Sequence, residues 1–201
     1  MLRLYDYLAS GNAYKARLLL RLLGRPFERI DVDILKGESR TEDFLRKNPE
    51  GRIPVLELDD GTYLFESNAI LCYLAEGTPW LPQDRLERAR VLQWLFWEQY
   101  SHEPNIATVR HWVMHIGVPE EKRALFEQKR TLGVKALGVM ERHLEGRQYF
   151  VGDRCTIADL ALYAYTHVAP EGGFDLGPYR RVCAWLDRVA DRPGFSPITQ
   201  R

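Results

Sequence analysis

Three short stretches hold residue types at a spacing that suits chemistry. Ser10-Gly11-Asn12 places a hydroxyl, a glycine and an amide where a strand pattern (Leu2, Leu4) gives way to a helix pattern. A helix N-terminus carries unpaired N–H groups and a partial positive charge, so this turn suits an anion. A plain loop with a capping Ser or Asn accounts for the same residues without a ligand. The second stretch, NPEGRIPVL (Asn48–Leu56), contains Ile53-Pro54. A proline that opens a strand cannot donate to the ladder. A cis bond there would turn the N–H and C=O of Ile53 outward, where an extended peptide can pair with them as an added strand. A trans proline at a strand start is the commoner arrangement. The third stretch is FESNAI (Phe65–Ile70). Ser67 at a helix start caps it, and its N–H and hydroxyl also suit a carboxylate, while Glu66 beside it suits an ammonium. A ligand carrying both groups on one carbon, an amino-acid head, fits the pair.

Other candidates are weaker. His111 and His115 stand i, i+4 on a helix pattern, a spacing that can hold a metal, but no third ligand is nearby, so no metal is expected. Cys155-Thr156-Ile157-Ala158-Asp159-Leu160 reads as a capping box with Asp in the place of Glu and a Cys155–Leu160 staple, a structural signal. The aromatic run Trp94, Phe96, Trp97, Tyr100 goes around its helix and reads mostly as core.

The elements that must position these residues fall in two halves. Residues 1–76 alternate strands and helices. Leu2–Tyr7 reads as a strand and Ala13–Leu23 as a helix with Ala16, Leu19, Leu20 and Leu23 on one face. Gly24 then stops that helix, and Pro26 prevents its resumption. A second strand over FERIDVDI, a short helix ended by Pro49, two strands joined at Asp60-Gly61 and a helix over Ser67–Glu76 follow. This β-α-β-α-β-β-α order is that of a thioredoxin-like α/β domain. Residues 77–85 are rich in turn formers and read as a linker. Residues 86–201 read as an all-α bundle: Leu86–His115 with a kink near Ser101 from Pro104, then Glu120–Leu144, Thr156–Val168 and Tyr179–Ala190.

Composition limits the function classes. The 201 residues balance 28 Lys+Arg against 28 Asp+Glu, which gives no basic surface for nucleic acid. No apolar run approaches a membrane span, and the N-terminus enters a strand pattern without a signal-peptide core, so no membrane partner is expected. Cys72, Cys155 and Cys183 are far apart and odd in number, which points to reduced thiols and a cytoplasmic setting.

Together SGNAYKARLLL, NPEGRIPVL, ESNAI and GDRCTIADL, in this order and spacing, make the chain resemble a cytosolic glutathione transferase over nearly its whole length. It is similar to the bacterial and theta/zeta-like classes that use a serine, and also to classes that use a Thr-x-Asn pair. The resemblance implies a homodimer that conjugates glutathione, its co-substrate, to a small electrophile. Ile53 would pair with the cysteinyl backbone of glutathione, with Pro54 cis. Glu66 and Ser67 would hold the γ-glutamyl end, and Arg40 or Arg52 the glycine carboxylate. Ser10 and Asn12 would face the sulfur, and Glu103, Ile106 and Arg110 would wall the electrophile pocket. Tyr5 and Tyr7 are rivals to Ser10, since other classes use a tyrosine near the end of the first strand. Classes with a cysteine at this turn are excluded, because no Cys precedes Cys72. The same site admits two alternatives: glutathione-dependent reduction of peroxides or disulfides, and a non-catalytic binding protein.

The resemblance gives the first turn a physical task. A free thiol has a pKa near 8.5, and only the thiolate is nucleophilic. Lowering it by about two pH units needs ~2.7 kcal/mol. A hydroxyl donated to a charged partner contributes roughly 1.5–3 kcal/mol, and a helix N-terminus adds a few tenths to about one. Ser10, helped by Asn12, is therefore a donor to sulfur and not a nucleophile.

Overall fold

The computed structural model describes residues 1–200, which form two compact units: Met1–Thr78 with the segment from Arg192 onward, and Pro79–Asp191. The first is a thioredoxin-like α/β domain. Its elements are β1 (Leu2–Asp6), α1 (Gly11–Leu22), β2 (Phe27–Asp31), α2 (Glu42–Leu45), β3 (Val55–Glu57), β4 (Tyr63–Leu64) and α3 (Ser67–Ala75). The sheet order is β2-β1-β3-β4, with β1 parallel to β2 and antiparallel to β3, and β3 antiparallel to β4. Alternation along β1 sorts its side chains. Leu4 and Asp6 are fully buried on one face. Tyr5, on the other face, joins the cluster of Val32, Phe44, Val55, Ile53 and Tyr63.

α1 begins at Gly11, two residues before the start that the apolar pattern gives, because Ser10 caps it. Ser10 is extended (φ −76°, ψ 120°), and its Oγ accepts the Ala13 N–H at 3.3 Å. The helix ends in a Schellman motif. Gly24 N–H bonds Arg21 C=O and Arg25 N–H bonds Leu20 C=O, each at 2.9 Å, with Gly24 at φ +62°. The single apolar stripe is a partial description: Ala13 to Leu20 are all buried, Lys15 and Arg17 included. The last segment also departs from the sequence reading, which gave 86–201 to the helical half. From Arg192 onward the chain packs with the first unit, where the Tyr14 hydroxyl donates to Ser196 C=O at 2.6 Å.

The second unit is helical: α4 (Arg85–Trp97), α5 (Glu103–His111), α6 (Arg123–His143), α7 (Ile157–Thr166) and α8 (Arg180–Ala190). Between α4 and α5 the kink foreseen from Pro104 takes the form of a π-helical turn, Glu98–His102. The wide turn lets Glu103 N–H reach back to Glu98 C=O and seats Pro104 in the first turn of α5, where its missing N–H costs nothing. Among the described residues no helix is long and apolar enough to cross a membrane.

The capping box at α7 is the centre of this unit. Asp159 is fully buried and accepts from Thr156 N–H (2.8 Å), Thr156 Oγ1–H (3.1 Å), Phe150 N–H (3.0 Å) and Trp185 Nε1–H (3.0 Å). One carboxylate thus joins the helix cap, the loop before it and α8. Asp159→Ala orphans several buried donors at about 1–3 kcal/mol each. The expected loss is ~3–5 kcal/mol in denaturant unfolding, and Asp159→Asn, which keeps one acceptor oxygen, should lose less. A loss below about 1 kcal/mol for the alanine variant would contradict this account of the cap.

Candidate functional site

The first unit brings two helix N-termini together. α1 starts behind Ser10, and α3 starts behind Glu66 and packs against α1. Ser67 Oγ–H donates to Asn12 Oδ1 at 3.4 Å, so the first turns of the two helices touch. Lys15, fully buried, donates to Ser67 Oγ at 3.3 Å and to Asn68 Oδ1 at 3.4 Å. Two positive helix ends and a buried ammonium make this corner a place for anionic groups. Ser10 Oγ takes the Ala13 N–H on a lone pair, and that leaves the hydroxyl proton as a donor.

Glu66 is exposed and has φ +67°, ψ 108°, the one positive φ outside glycine among the described residues. A non-glycine residue held there stores about 1–3 kcal/mol, and such strain clusters at ligand clamps. Glu66 stands between the end of β4 at Leu64 and the first turn of α3.

Ile53–Pro54 is cis. Pro54 is buried, β3 begins at Val55, and Ile53 has no backbone hydrogen bond among the described residues. Its peptide continues the line of β3 past the point where β4 ends at Leu64. The loop that delivers it is held from within. Asn48, buried, donates from Nδ2 to Arg52 C=O at 2.7 Å and accepts Glu50 N–H at 3.0 Å. At Gly51, φ +59°, a Cβ would lie 2.8 Å from Ser39 C=O.

The remaining sequence candidates are placed as follows. Arg40 donates to Glu50 C=O at 2.8 Å and so braces this loop, while Arg52 extends from it, exposed. Tyr5 donates its hydroxyl to Glu57 at 2.8 Å. Burial and that bond push its pKa well above the ordinary phenol value, so Tyr5 is engaged away from the Ser10 turn. Tyr7 is half-buried at the end of β1. In the helical unit Ile106 is fully buried, and a Cβ on Gly133 would sit 3.4 Å from it. Arg110 is paired with Glu171 at 2.6 Å, and Glu103 is half-buried. Ile106 and Arg110 therefore have structural employment inside this unit. His111 and His115 lie with ring centroids 5.3 Å apart, and burial, then His115, lowers the His111 pKa. Among the described residues no group of three or more potential metal ligands occurs. Sequence reasoning missed Lys15, Asn48 and Asn68. The sequence carries no signal for Lys15, since an amphipathic pattern places a charged residue outward.

Comparison with known proteins decides the family. The family model described as glutathione S-transferase, N-terminal domain matches residues 1–76, and that of the C-terminal domain matches 96–193. The chain belongs to the glutathione S-transferase family. A glutathione S-transferase structure from Pseudomonas fluorescens superimposes with a TM-score of 0.97 at 52% identity, covering 99% of each chain. Glutathione S-transferase F10 of Arabidopsis thaliana is 34% identical over 95% of this chain and 93% of its own. The disulfide-bond oxidoreductase YfcG of Escherichia coli is 31% identical over 96% and 92%. The chain holds a strained residue at the start of α3. Glu66→Gly removes the positive-φ penalty and should raise unfolding stability by about 1 kcal/mol. A net loss in denaturant unfolding would show that Glu66 is held by a favourable contact instead.

Proposed function

We propose that this glutathione S-transferase binds glutathione along Ile53, Glu66 and Ser67 and ionises its thiol at the Ser10 turn, as a serine-type enzyme acting on small electrophiles. The observation that carries the reading is the meeting of the α1 and α3 N-termini, with the Ser10 hydroxyl proton uncommitted to the helix cap. The open Ile53 peptide pairs with the cysteinyl backbone and brings the sulfur toward Ser10. Ser67, backed by Lys15, takes the γ-glutamyl carboxylate, and the exposed Glu66 takes the ammonium. The loop arginines Arg40 and Arg52 face the glycine end. Ser10 donates to the thiolate, and Asn12 adds a second donor from its amide or its first-turn N–H.

A second reading shares the site. The 31% identity to a disulfide-bond oxidoreductase favours reduction of a disulfide by two glutathiones, giving oxidised glutathione and two thiols. No cysteine lies before Cys72, so the mixed disulfide would form on glutathione and not on a protein thiol at the turn. Relative turnover of an aryl halide and a small disulfide ranks the two. The three free cysteines fit a cytoplasmic setting.

Ser10→Ala should raise the pKa of bound glutathione by about one to two pH units, the worth of one charge-assisted hydrogen bond. Below that pKa the thiolate fraction falls tenfold per unit, so activity at neutral pH drops and returns at high pH. The Kd for glutathione should change little. Asn12→Ala should act in the same direction, and the double change should be non-additive if both donors share the sulfur. A Tyr5→Phe or Tyr7→Phe variant that moves the titration while Ser10→Ala does not would overturn the serine assignment.

A C2 homodimer is the assembly proposed. Its support, beyond the family, is the apolar surface of the helical unit: Phe96 and Tyr100 are 72% and 87% exposed, and Leu132 and Val134 on α6 are also exposed. Light scattering at micromolar concentration should give twice the chain mass, and Tyr100→Lys should lower it toward the monomer.

A further inference from the structure

One side chain ties the Ser10 turn to both the sheet and the C-terminal segment. Arg17, fully buried on α1, donates Nη1 to Asp6 Oδ2 at the end of β1. Its Nη2 donates to Leu8 C=O at 3.0 Å and to Ile198 C=O at 2.8 Å. Leu8 lies two residues before Ser10, in a turn closed by Ser10 N–H to Tyr7 C=O at 2.8 Å. Arg29 Nη1 stands 3.5 Å from the same Asp6 oxygen, but its closer partner is Asp31, at 2.6 Å. The C-terminal segment is held twice more, by the Tyr14 hydroxyl on Ser196 C=O (2.6 Å) and by Arg21 on Ser196 Oγ and on Gln200 C=O (3.3 Å).

We propose that Arg17 is a positioning residue for the Ser10 turn, and that the Ser196–Gln200 segment is part of the frame that sets this turn. This rests on the glutathione reading above. A guanidinium is a rigid planar fork, so fixing it on Asp6 and Ile198 also fixes the third acceptor, Leu8 C=O. Leu8 C=O lies in the middle of the turn whose end aims the Ser10 hydroxyl. A donor to a thiolate must be held within about 0.5 Å of its productive place. A lysine ammonium can keep the charge beside Asp6 but cannot reproduce the planar fork to all three acceptors. The last segment thereby acts on the site without touching a ligand.

Two full-length variants test this. Arg17→Lys keeps the buried charge and breaks the fork. Tyr14→Phe with Arg21→Met leaves Arg17 and Asp6 intact and loosens the segment, so it carries the test if Arg17→Lys does not fold. In ligand-free protein, amide exchange across Tyr7–Asn12 should quicken by roughly tenfold over the parent in either variant. With glutathione, the thiolate titration should move up by about half a pH unit, a threefold loss of thiolate below the midpoint, with Kd within about twofold. A merely structural role lowers the melting temperature and leaves both readouts at their parent values; that result overturns the proposal. If the parent protein leaves bound glutathione un-ionised, the functional reading fails, and the exchange measurement decides the frame by itself.

Discussion

A serine hydroxyl has one proton to give, and the first unit depends on that proton not being spent on the helix that Ser10 begins. The cap uses an oxygen lone pair instead, for the Ala13 N–H. This solution fixes much else. The helix must start at Gly11, so that Asn12 falls in the first turn and meets Ser67 on α3. The competing phenol at Tyr5 is drawn off to Glu57 across the sheet. The turn itself is braced from behind, through Leu8 C=O, by a guanidinium that is out of contact with water.

The arrangement is costly in isolation and reasonable as a whole. Lys15, Arg17 and Asp6 are all fully buried, and a buried charge is penalised by several kcal/mol unless it is paired and hydrogen-bonded. Asp6 and Arg17 neutralise each other, and three acceptors take the two Nη groups, while Arg17 Nε and Asp6 Oδ1 stay buried without a partner. Lys15 shares its ammonium between Ser67 and Asn68, the residues that open α3. Glu66 adds backbone strain at the same place. Stability is therefore given up at the corner where α1 and α3 begin, a trade common at functional sites. The helical unit has the opposite character: its one fully buried cap carboxylate, Asp159, is surrounded by donors that serve folding alone.

Much of the fold was legible because it is written in local chemistry. Gly24 with Pro26, the Asp60-Gly61 turn and Thr156 with Asp159 mark ends that any chain with those residues would respect. Pro104 announced a break, though its form, a π-helical turn, depends on what buries Glu98 and His102. The Ser10, Ile53 and Ser67 stretches were also readable, as polar residues at helix starts and a proline at a strand start. Lys15 and Arg17 were not, because amphipathic reasoning sends charged residues outward, and their partners come from α3, from β1 and from a segment some 180 residues away. The return of that last segment to the first unit has no local signal at all. The burial of Ile106 and the pairing of Arg110 with Glu171 likewise arise from packing between distant parts of the helical unit.

On the proposed function, the corner where α1 and α3 begin makes a thiolate stable near neutral pH. Ultraviolet titration of glutathione bound to the unaltered protein measures this directly. The account predicts a thiol pKa about two units below the ordinary value near 8.5, with the thiolate predominant at pH 7.5. A bound thiol that titrates at or above its free value would contradict it.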